Sequence, residues 1–264
     1  MTRIVHLSDL HFGRDRAEAE PQLVEIVNDL APDLVAVSGD FTQRARRGQF
    51  ERASAFLEKL EPPVLSVPGN HDTPLDNLWV RLLRPWSRYR HAIDRKLEPM
   101  QRLPGAVIQG VNTVNRFSWQ RGRISERTVA KVCDAFEDAG DRLRIVVLHH
   151  PLEHGPEVEK RLMRGARAAL GRLQECGADV VLSGHLHHTI TAPFQTAQGL
   201  LFVQAGTGLS TRLRGEPNTF NLVQGDRDGL QVQTFAATPG TGFALSREAS
   251  FFRVSGKWTA PEGD

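Results

Sequence analysis

Short apolar runs alternate with amphipathic segments along most of the chain. Runs rich in β-branched residues predict strands at residues 3–7, 34–37, 64–67, 145–148 and 179–182. Apolar residues at helical spacing predict helices between the first three strands, over 125–137 and around 162–173. This order of strands and helices is typical of an α/β fold.

The last part of the chain has no helical periodicity. Strands are predicted there at residues 200–204, 220–223, 230–235 and 251–254, and one further strand is predicted earlier, at 106–113. An early βα alternation followed by a β-rich end fits two packed mixed β-sheets flanked by helices, a four-layer αββα sandwich. We expect residues 1–264 to form a single domain of this α/β class.

Residues 74–103 are predicted to form a helical insertion or lid. Pro85 must kink or break the helical stretch at 74–93. Its predicted apolar face contains Leu75, Leu78, Trp79, Leu82, Trp86 and Ile93, and its polar face contains Arg81, Arg84 and Arg88. Such a face can pack on its own domain, or it can make peripheral contact with an anionic membrane surface.

Composition narrows the class of protein. Hydrophobic residues make up 40% of the chain, which is enough for a sizeable core, and no apolar run approaches the length of about 20 residues that a membrane span needs. Acidic residues near the start leave no room for a secretory signal, so a soluble cytoplasmic protein is expected. Cys133 and Cys176 are interpreted as reduced packing residues. The net charge of +2 indicates no specific nucleic-acid partner.

Five short polar clusters each follow the end of a predicted strand. They are Ser8-Asp9-Leu10-His11, Gly39-Asp40, Gly69-Asn70-His71-Asp72, His149-His150-Pro151 and Gly184-His185-Leu186-His187. Carboxyl ends of strands are where α/β sheets place their ligands, so we expect the clusters to converge. Residues two apart, such as Asp9 and His11, would point the same way in an extended segment.

The residue types in these clusters predict a metal site. Asp40 has two carboxylate oxygens and could bridge two cations. Mixed oxygen and imidazole ligands favour Mn, Fe, Zn or Co over Ca or Mg. Two cations roughly 3.5–4 Å apart can hold both the attacking and the leaving oxygen of a phosphate ester.

The motifs D-x-H, G-D, G-N-H-D, H-H-P and G-H-x-H, in this order, resemble the calcineurin-like metallophosphoesterase superfamily. The resemblance extends from Asp9 to His187 and is closest to its cyclic-nucleotide and glycerophosphodiester phosphodiesterase branch. It implies two divalent or mixed-valence metal ions and attack by a metal-bridging hydroxide. One departure is the segment Phe41–Arg47, where that branch has an acidic residue followed by glycine.

The resemblance also implies a role for each residue. One metal would be held by Asp9, His11, Asp40 and His187, and the other by Asp40, Asn70, His149 and His185. His71 would assist catalysis as a proton donor or charge stabiliser, with Asp72 orienting its ring. His149 is preferred to His150 as the ligand because it continues the strand.

The substrate is expected to be a small phosphorylated molecule, most readily a phosphodiester. Asn70 and His71 would contact its phosphate, together with arginines of the loop after Asp40, of which Arg44 and Arg47 are the chosen candidates; Arg212 and Arg214 lie in a second basic loop. The alternatives are a pyrophosphatase or phosphomonoesterase, for example on a UDP-sugar lipid, and a non-catalytic scaffold of the same fold. A nuclease is disfavoured because no aromatic and basic strip for single strands is present.

Overall fold

The computed structural model describes residues 1–155, 158, 160–238 and 242–261. The strands are β1 (Thr2–Leu7), β2 (Leu34–Val37), β3 (Val64–Ser66), β4 (Met100–Arg102), β5 (Ala106–Val111), β6 (Leu143–Leu148), β7 (Val180–Ser183), β8 (Ile190–Pro193), β9 (Leu201–Gln204), β10 (Thr219–Gly225), β11 (Gly229–Thr238), β12 (Gly242–Val254) and β13 (Lys257–Thr259). The helices are α1 (Glu20–Asp29), α2 (Arg47–Leu57), α3 (Leu78–Leu83), α4 (Ser87–Ala92), α5 (Glu126–Glu137) and α6 (Ala166–Glu175).

The strands form two mixed sheets. The first has the order β13-β12-β11-β10-β1-β2-β3, and β1, β2 and β3 run parallel. The second has the order β4-β5-β6-β7-β9-β8, with β5, β6, β7 and β9 parallel and the two edge strands antiparallel. The α/β class and the mixed sheets predicted from the sequence are confirmed.

Alternating side chains along the buried strands build the four layers. In β1, Val5 and Leu7 pack with Leu23 of α1 and Phe50 of α2. Ile4, on the opposite face of the same strand, belongs to a cluster between the two sheets. A third cluster joins the second sheet to α5 and α6. Because successive strand residues face opposite sides, one apolar run serves two layers at once.

The segment 74–103 is more divided than the sequence indicated. Two short helices, α3 and α4, are separated by residues 84–86, which include Pro85. The segment ends in β4, which pairs with β5. Tyr89 of α4 is fully buried and its ring lies 5.9 Å from that of Phe41. Helix α4 therefore packs on the rest of the domain. Whether the segment acts as a lid stays a prediction.

The two cysteines were predicted wrongly. Cys133 in α5 and Cys176 at the end of α6 form a disulfide, with their Cα atoms 5.4 Å apart. Helices α5 and α6 pack side by side and bring together residues that are 43 positions apart in sequence. No local pattern reports such a pairing, and the cysteines give no support for a reducing compartment.

Candidate metal centre

The polar clusters meet at one edge of the sandwich, where the parallel strands of both sheets end. Asp9, Asp40 and Asn70 follow β1, β2 and β3 of the first sheet, whereas His149, His185 and His187 follow β6 and β7 of the second. All seven predicted ligands, which also include His11, are at most 7% exposed. The site is therefore buried and is built by both sheets.

Left-handed backbone, and not extended backbone, turns most of these side chains inward. Asp9, His11, Asp40, His185 and His187 have φ of 52°, 51°, 54°, 74° and 64°. Non-glycine residues rarely adopt this conformation, and such strain is concentrated at functional sites. The expectation that Asp9 and His11 converge through extended geometry is wrong, because both have left-handed backbone in the loop that follows β1.

The first group of ligand atoms comes from Asp9, His11 and His187. The Nε2 atoms of His11 and His187 lie 3.3 Å apart. Oδ1 of Asp9 is 3.4 Å from His11 Nε2 and 3.1 Å from His187 Nε2. Three ligand atoms thus converge on one point.

The second group comes from Asn70, His149 and His185. Nε2 of His149 lies 3.1 Å from Oδ1 of Asn70 and 3.2 Å from Nδ1 of His185. One amide oxygen and two imidazole nitrogens form this set, which adjoins the first group.

Asp40 lies between the two groups. Its Oδ2 atom is 3.8 Å from His11 Nε2 and 3.4 Å from His149 Nε2. Its Oδ1 atom accepts a hydrogen bond of 2.8 Å from the backbone N–H of His71. One oxygen is therefore anchored, and the other faces both groups.

The arrangement fits metal ions. Ligand atoms that share one cation at bond lengths of about 2.0–2.2 Å lie roughly 2.8–3.6 Å from one another, which matches the spacings within both groups. Oδ1 of Asp9 is buried and has no hydrogen-bond donor among the described residues. A buried carboxylate oxygen without a partner is costly, and a cation would satisfy it.

Backbone carbonyls fix the orientation of two ligand rings. Nδ1–H of His149 donates to the carbonyl of Ser38 at 2.8 Å, and Nδ1–H of His187 donates to that of Arg212 at 3.2 Å. Each bond leaves the Nε2 atom free to bind a cation. Oδ2 of Asp9 similarly accepts from Ser8 Oγ and from the N–H of His185, at 2.6 and 2.9 Å.

The carboxylates of Asp9 and Asp40 stay ionised. Burial alone would raise the pKa of Asp9, but the imidazoles of His187 and His11 outweigh it and hold the pKa well below its usual range. Burial is likewise outweighed at Asp40, whose pKa is lowered by His149 and His71. Burial would lower the pKa of His149, but Asp40 in particular raises it to about 9. The negative charge that holds a proton on His149 would also favour a cation in its place.

Two motif glycines allow the loops to approach this closely. A Cβ atom at Gly69 would overlap the carboxylate and the backbone N–H of Asp40. One at Gly184 would overlap Oγ of Ser8 and come within 2.5 Å of Oδ2 of Asp9. The glycines of G-N-H-D and G-H-x-H are therefore required by the packing around the two carboxylates.

His71 lies beside this centre, but Asp72 does not orient it. Nδ1–H of His71 donates to the carbonyl of Gln43 at 2.8 Å. The Asp72 carboxylate instead accepts from the backbone N–H groups of Gly69, Phe41 and Thr42. The predicted role of Asp72 is therefore wrong, since Asp72 holds the loops together and a backbone carbonyl orients the ring. Burial and the charge of Asp40 raise the pKa of Asp72 to about 7.

The two histidines of the H-H-P motif have different surroundings. Nε2 of His149 faces Asp40 and Asn70. His150 instead bonds Thr113 Oγ1 through Nδ1 at 2.8 Å, and its ring lies 4.6 Å from that of His185. These contacts agree with the choice of His149 as the ligand, which stays a prediction.

A cavity of about 640 Å³ opens on Asn70 and His71. Its wall also contains Gly13, Arg14, Gln43, Arg44, Arg46, Gln49, Leu75, Trp119, Gln120 and Arg212. Arg44 lies in this wall, and its contact with the substrate stays a prediction. Arg47 begins α2 and lines a separate groove against α4, whereas Arg46, just before the helix, faces the cavity. Of the two predicted arginines, only Arg44 stays a candidate for substrate binding.

Arg14, Lys160 and Trp119 were not singled out from the sequence. Nζ of Lys160 lies 3.5 Å from Nε2 of His185, so a cationic side chain stands at the edge of the second ligand group. None of the three belongs to a motif, and only the folded loops bring them to the site. Arg14 follows the D-x-H cluster closely, which is the one local signal available.

An exposed apolar patch lies near the mouth of the cavity. Trp79, Leu83 and Phe117 are 77%, 71% and 73% exposed. We define the patch by Leu78, Trp79, Leu82, Leu83, Phe117 and Trp119, all of which are exposed. Trp119 also belongs to the cavity wall, so the patch reaches the site.

Arg81 lies beneath the patch and connects helix α3 with the loop at 116–119. The sequence placed this residue on a polar outer face, but it is buried. Its guanidinium donates to Thr73 Oγ1 and to the carbonyls of Arg116 and Ser118, at 2.7, 2.9 and 2.7 Å. The loop at 116–119 is therefore tied to α3, and the apolar side chains between them face outward.

An αββα sandwich with buried carboxylate, amide and imidazole groups at its strand ends defines a candidate two-metal centre. A family model of calcineurin-like phosphoesterases matches residues 2–189, and the chain belongs to this family. The resemblance stated from the motifs is thereby confirmed.

Some relatives are phosphodiesterases by name, and others are UDP-2,3-diacylglucosamine pyrophosphatases. The chain is 28% identical over 167 residues to the glycerophosphodiester phosphodiesterase GpdQ of Enterobacter lignolyticus, covering 56% of each chain. It is 27% identical over 237 residues to a probable cyclic nucleotide phosphodiesterase of Synechococcus, covering 80% of this chain and 78% of that one. The chain thus spans just over half the length of the first relative. The purple acid phosphatase PPD1 of yellow lupin shares the fold, with a TM-score of 0.71 at 14% identity over 94% of this chain and 53% of that one.

Proposed function

We propose that the protein hydrolyses phosphodiesters with the help of two metal ions. The observation that carries the proposal is the position of Asp40 Oδ2, which faces His11 of one ligand group and His149 of the other. The names of the two relatives support a diester as the substrate. The mixed oxygen and nitrogen ligands favour Mn, Fe, Zn or Co.

The bound metals would supply a nucleophile at neutral pH and neutralise charge on the phosphate. The chain's own residues hold and orient the substrate. Asn70 and His71 border the cavity and would contact the phosphoryl oxygens. Because the Gln43 carbonyl accepts from Nδ1 of His71, its Nε2 atom is left to face the substrate. We infer that His71, once protonated at Nε2, donates a hydrogen bond to the phosphate or leaving group and so stabilises its charge.

Turnover of a matched substrate pair tests this function. Metal-reconstituted protein should hydrolyse bis(p-nitrophenyl) phosphate with a kcat/KM at least about tenfold above that for p-nitrophenyl phosphate. The metal-stripped protein serves as the blank, and Mn, Fe and Zn are added back separately. A preference for the monoester would reject the diesterase assignment, and no turnover with any metal would favour the scaffold alternative.

We further propose that the apolar patch contacts an anionic lipid surface. Besides the buried Arg81, residues 74–93 and 114–123 contain the arginines Arg84, Arg88, Arg90, Arg116, Arg121 and Arg123. The acidic residue in these ranges, Asp76, pairs with Arg88. Exposed Trp, Phe and Leu beside such an excess of arginine suit the boundary between headgroups and acyl chains. Within the described residues, no helix has both the length and the apolarity to cross a bilayer, so any contact through this patch would be peripheral.

Vesicle sedimentation tests the membrane contact. The protein should bind vesicles containing phosphatidylglycerol better than vesicles of phosphatidylcholine alone. Replacing both Trp79 and Leu83 by alanine should weaken that binding by roughly tenfold, because their apolar surface would no longer be transferred from water. Phe252→Ala is the matched control, since Phe252 is 53% exposed on the distant strand β12. Equal binding of both variants would contradict the proposal.

A further inference from the structure

Four arginines line the active-site cavity without a carboxylate beside them. Arg14, Arg44, Arg46 and Arg212 belong to its wall, which contains no Asp or Glu among the described residues. Like charges repel, so such a group lowers the stability of the folded chain unless water or an anion screens it. The excess charge is local, because the chain as a whole has a net charge of only +2.

The guanidinium groups of these four arginines are not used to hold the fold. The residues that the structure describes form neither a hydrogen bond nor an ion pair with them, whereas other arginines are paired. Arg52 contacts Asp15, Arg88 contacts Asp76, and Arg253 contacts Asp179. The cavity arginines thus keep their donors available to a ligand.

The loop that presents Arg44 and Arg46 is held in a defined conformation. The side-chain oxygen of Gln49 accepts from the backbone N–H groups of both arginines, at 2.9 and 3.3 Å. Ala45 between them has a φ of 50°, and its N–H donates to Thr42 Oγ1 at 2.9 Å. These bonds fix the backbone on either side, so that the two arginines leave it at set positions.

Arg212 is linked directly to the metal centre. Its carbonyl accepts from Nδ1 of His187, one of the candidate ligands. Asn70 and His71 border the same cavity. The arginine cluster therefore stands beside the place where the scissile phosphate would bind, and it is separate from the ligand atoms themselves.

We propose that this cluster binds a second phosphate group of the substrate, separate from the phosphodiester that is cleaved. The proposal rests on the proposed phosphodiesterase function and specifies its substrate class. Guanidinium groups bind phosphate through paired N–H donors, and several of them can share its charge. Phosphodiesters with no second anionic group would leave the four arginines unused.

Substrates and inhibitors that differ by one phosphate test this subsite. The substrate pair is thymidylyl-thymidine and its 5′-phosphorylated derivative, with cleavage of the internucleotide bond followed by chromatography. The inhibitor pair is adenosine 5′-monophosphate and adenosine 3′,5′-bisphosphate, each in competition with bis(p-nitrophenyl) phosphate. The extra phosphate should raise kcat/KM or lower the inhibition constant by roughly tenfold to a hundredfold in at least one pair.

Substitutions distinguish the arginine cluster from a general attraction of anions. Arg46→Ala and the double variant of Arg44 and Arg46 to alanine should reduce the advantage of the second phosphate at least tenfold. Arg47→Ala is the matched control, because Arg47 is adjacent in sequence but lies outside the cavity wall. It should leave the advantage unchanged.

Each outcome is decisive. If neither pair shows an advantage, or if Arg47→Ala removes it as effectively as Arg46→Ala, the second-phosphate subsite is rejected. Bis(p-nitrophenyl) phosphate has no second anionic group, so its hydrolysis tests the proposed function independently of the subsite. Turnover of that compound without an advantage in either pair would reject only the subsite.

Discussion

Replacing Asp40 by asparagine is expected to lower kcat/KM by about a thousandfold or more and to abolish stoichiometric binding of both metal ions. Asp40 Oδ2 faces both ligand groups, so the loss of one carboxylate charge weakens two positions together. Oδ1 accepts from the N–H of His71, and an asparagine has only one oxygen. That oxygen could accept the hydrogen bond from His71 or contact the cations, but it could not do both.

The comparison variant for this prediction is Asp9→Asn. Oδ1 of Asp9 contacts His11 and His187 of the first group only. We expect this variant to lose one equivalent of metal and to keep the other, whereas Asp40→Asn should keep neither. Metal content is measured by plasma emission spectroscopy, and circular dichroism checks the fold. Two equivalents retained by Asp40→Asn would show that Asp40 does not bridge.

Gly69→Ala is expected to reduce kcat/KM by about a hundredfold without unfolding the protein. The added Cβ would overlap both the side chain and the backbone N–H of Asp40, so the loop after β2 must shift. A displacement of about 1 Å at a catalytic group commonly costs about 10²-fold in rate. Metal affinity should fall as well, because Oδ2 of Asp40, which faces both ligand groups, moves with the loop.

The matched control is Gly48→Ala, in α2. A Cβ at Gly48 would have Glu51 Oε2 as its nearest neighbour, at 3.9 Å, which is an ordinary contact. Alanine also favours helix relative to glycine by roughly 1 kcal/mol, so this variant should be slightly more stable and fully active. If Gly69→Ala and Gly48→Ala had the same kcat/KM, the close approach of Gly69 to Asp40 would not be required for activity.

The fold could be predicted largely because its strands are buried on both faces. Runs such as 34–37 and 145–148 are apolar without interruption, which marks central strands of a covered sheet. Three of the four edge strands, β4, β8 and β13, escaped prediction. Ile190–Pro193 is half-buried and ends in proline, and Lys257–Thr259 has only Trp258 buried, so neither shows a strong pattern.

The candidate site could be predicted as a set of residues but not as a geometry. The motifs, taken in their order along the chain, identified the seven candidate ligands, and the structure brings all seven together. The sequence could not show that Asp72 binds backbone N–H groups and that a carbonyl orients His71, because these bonds depend on loop conformation. Arg46 and Arg47 illustrate the same limit, since one residue position at the start of a helix decides which of them faces the cavity.

The construction of the site from both sheets couples cation affinity to folding stability. Asp9, Asp40 and Asn70 come from one sheet, and His149, His185 and His187 come from the other, so each ion held by these residues would cross-link the two halves of the sandwich. An ion that binds only the native state stabilises it in proportion to the logarithm of its free concentration. The melting temperature of the chain should therefore follow the supply of metal, and starvation for that metal would lower folding stability and activity together.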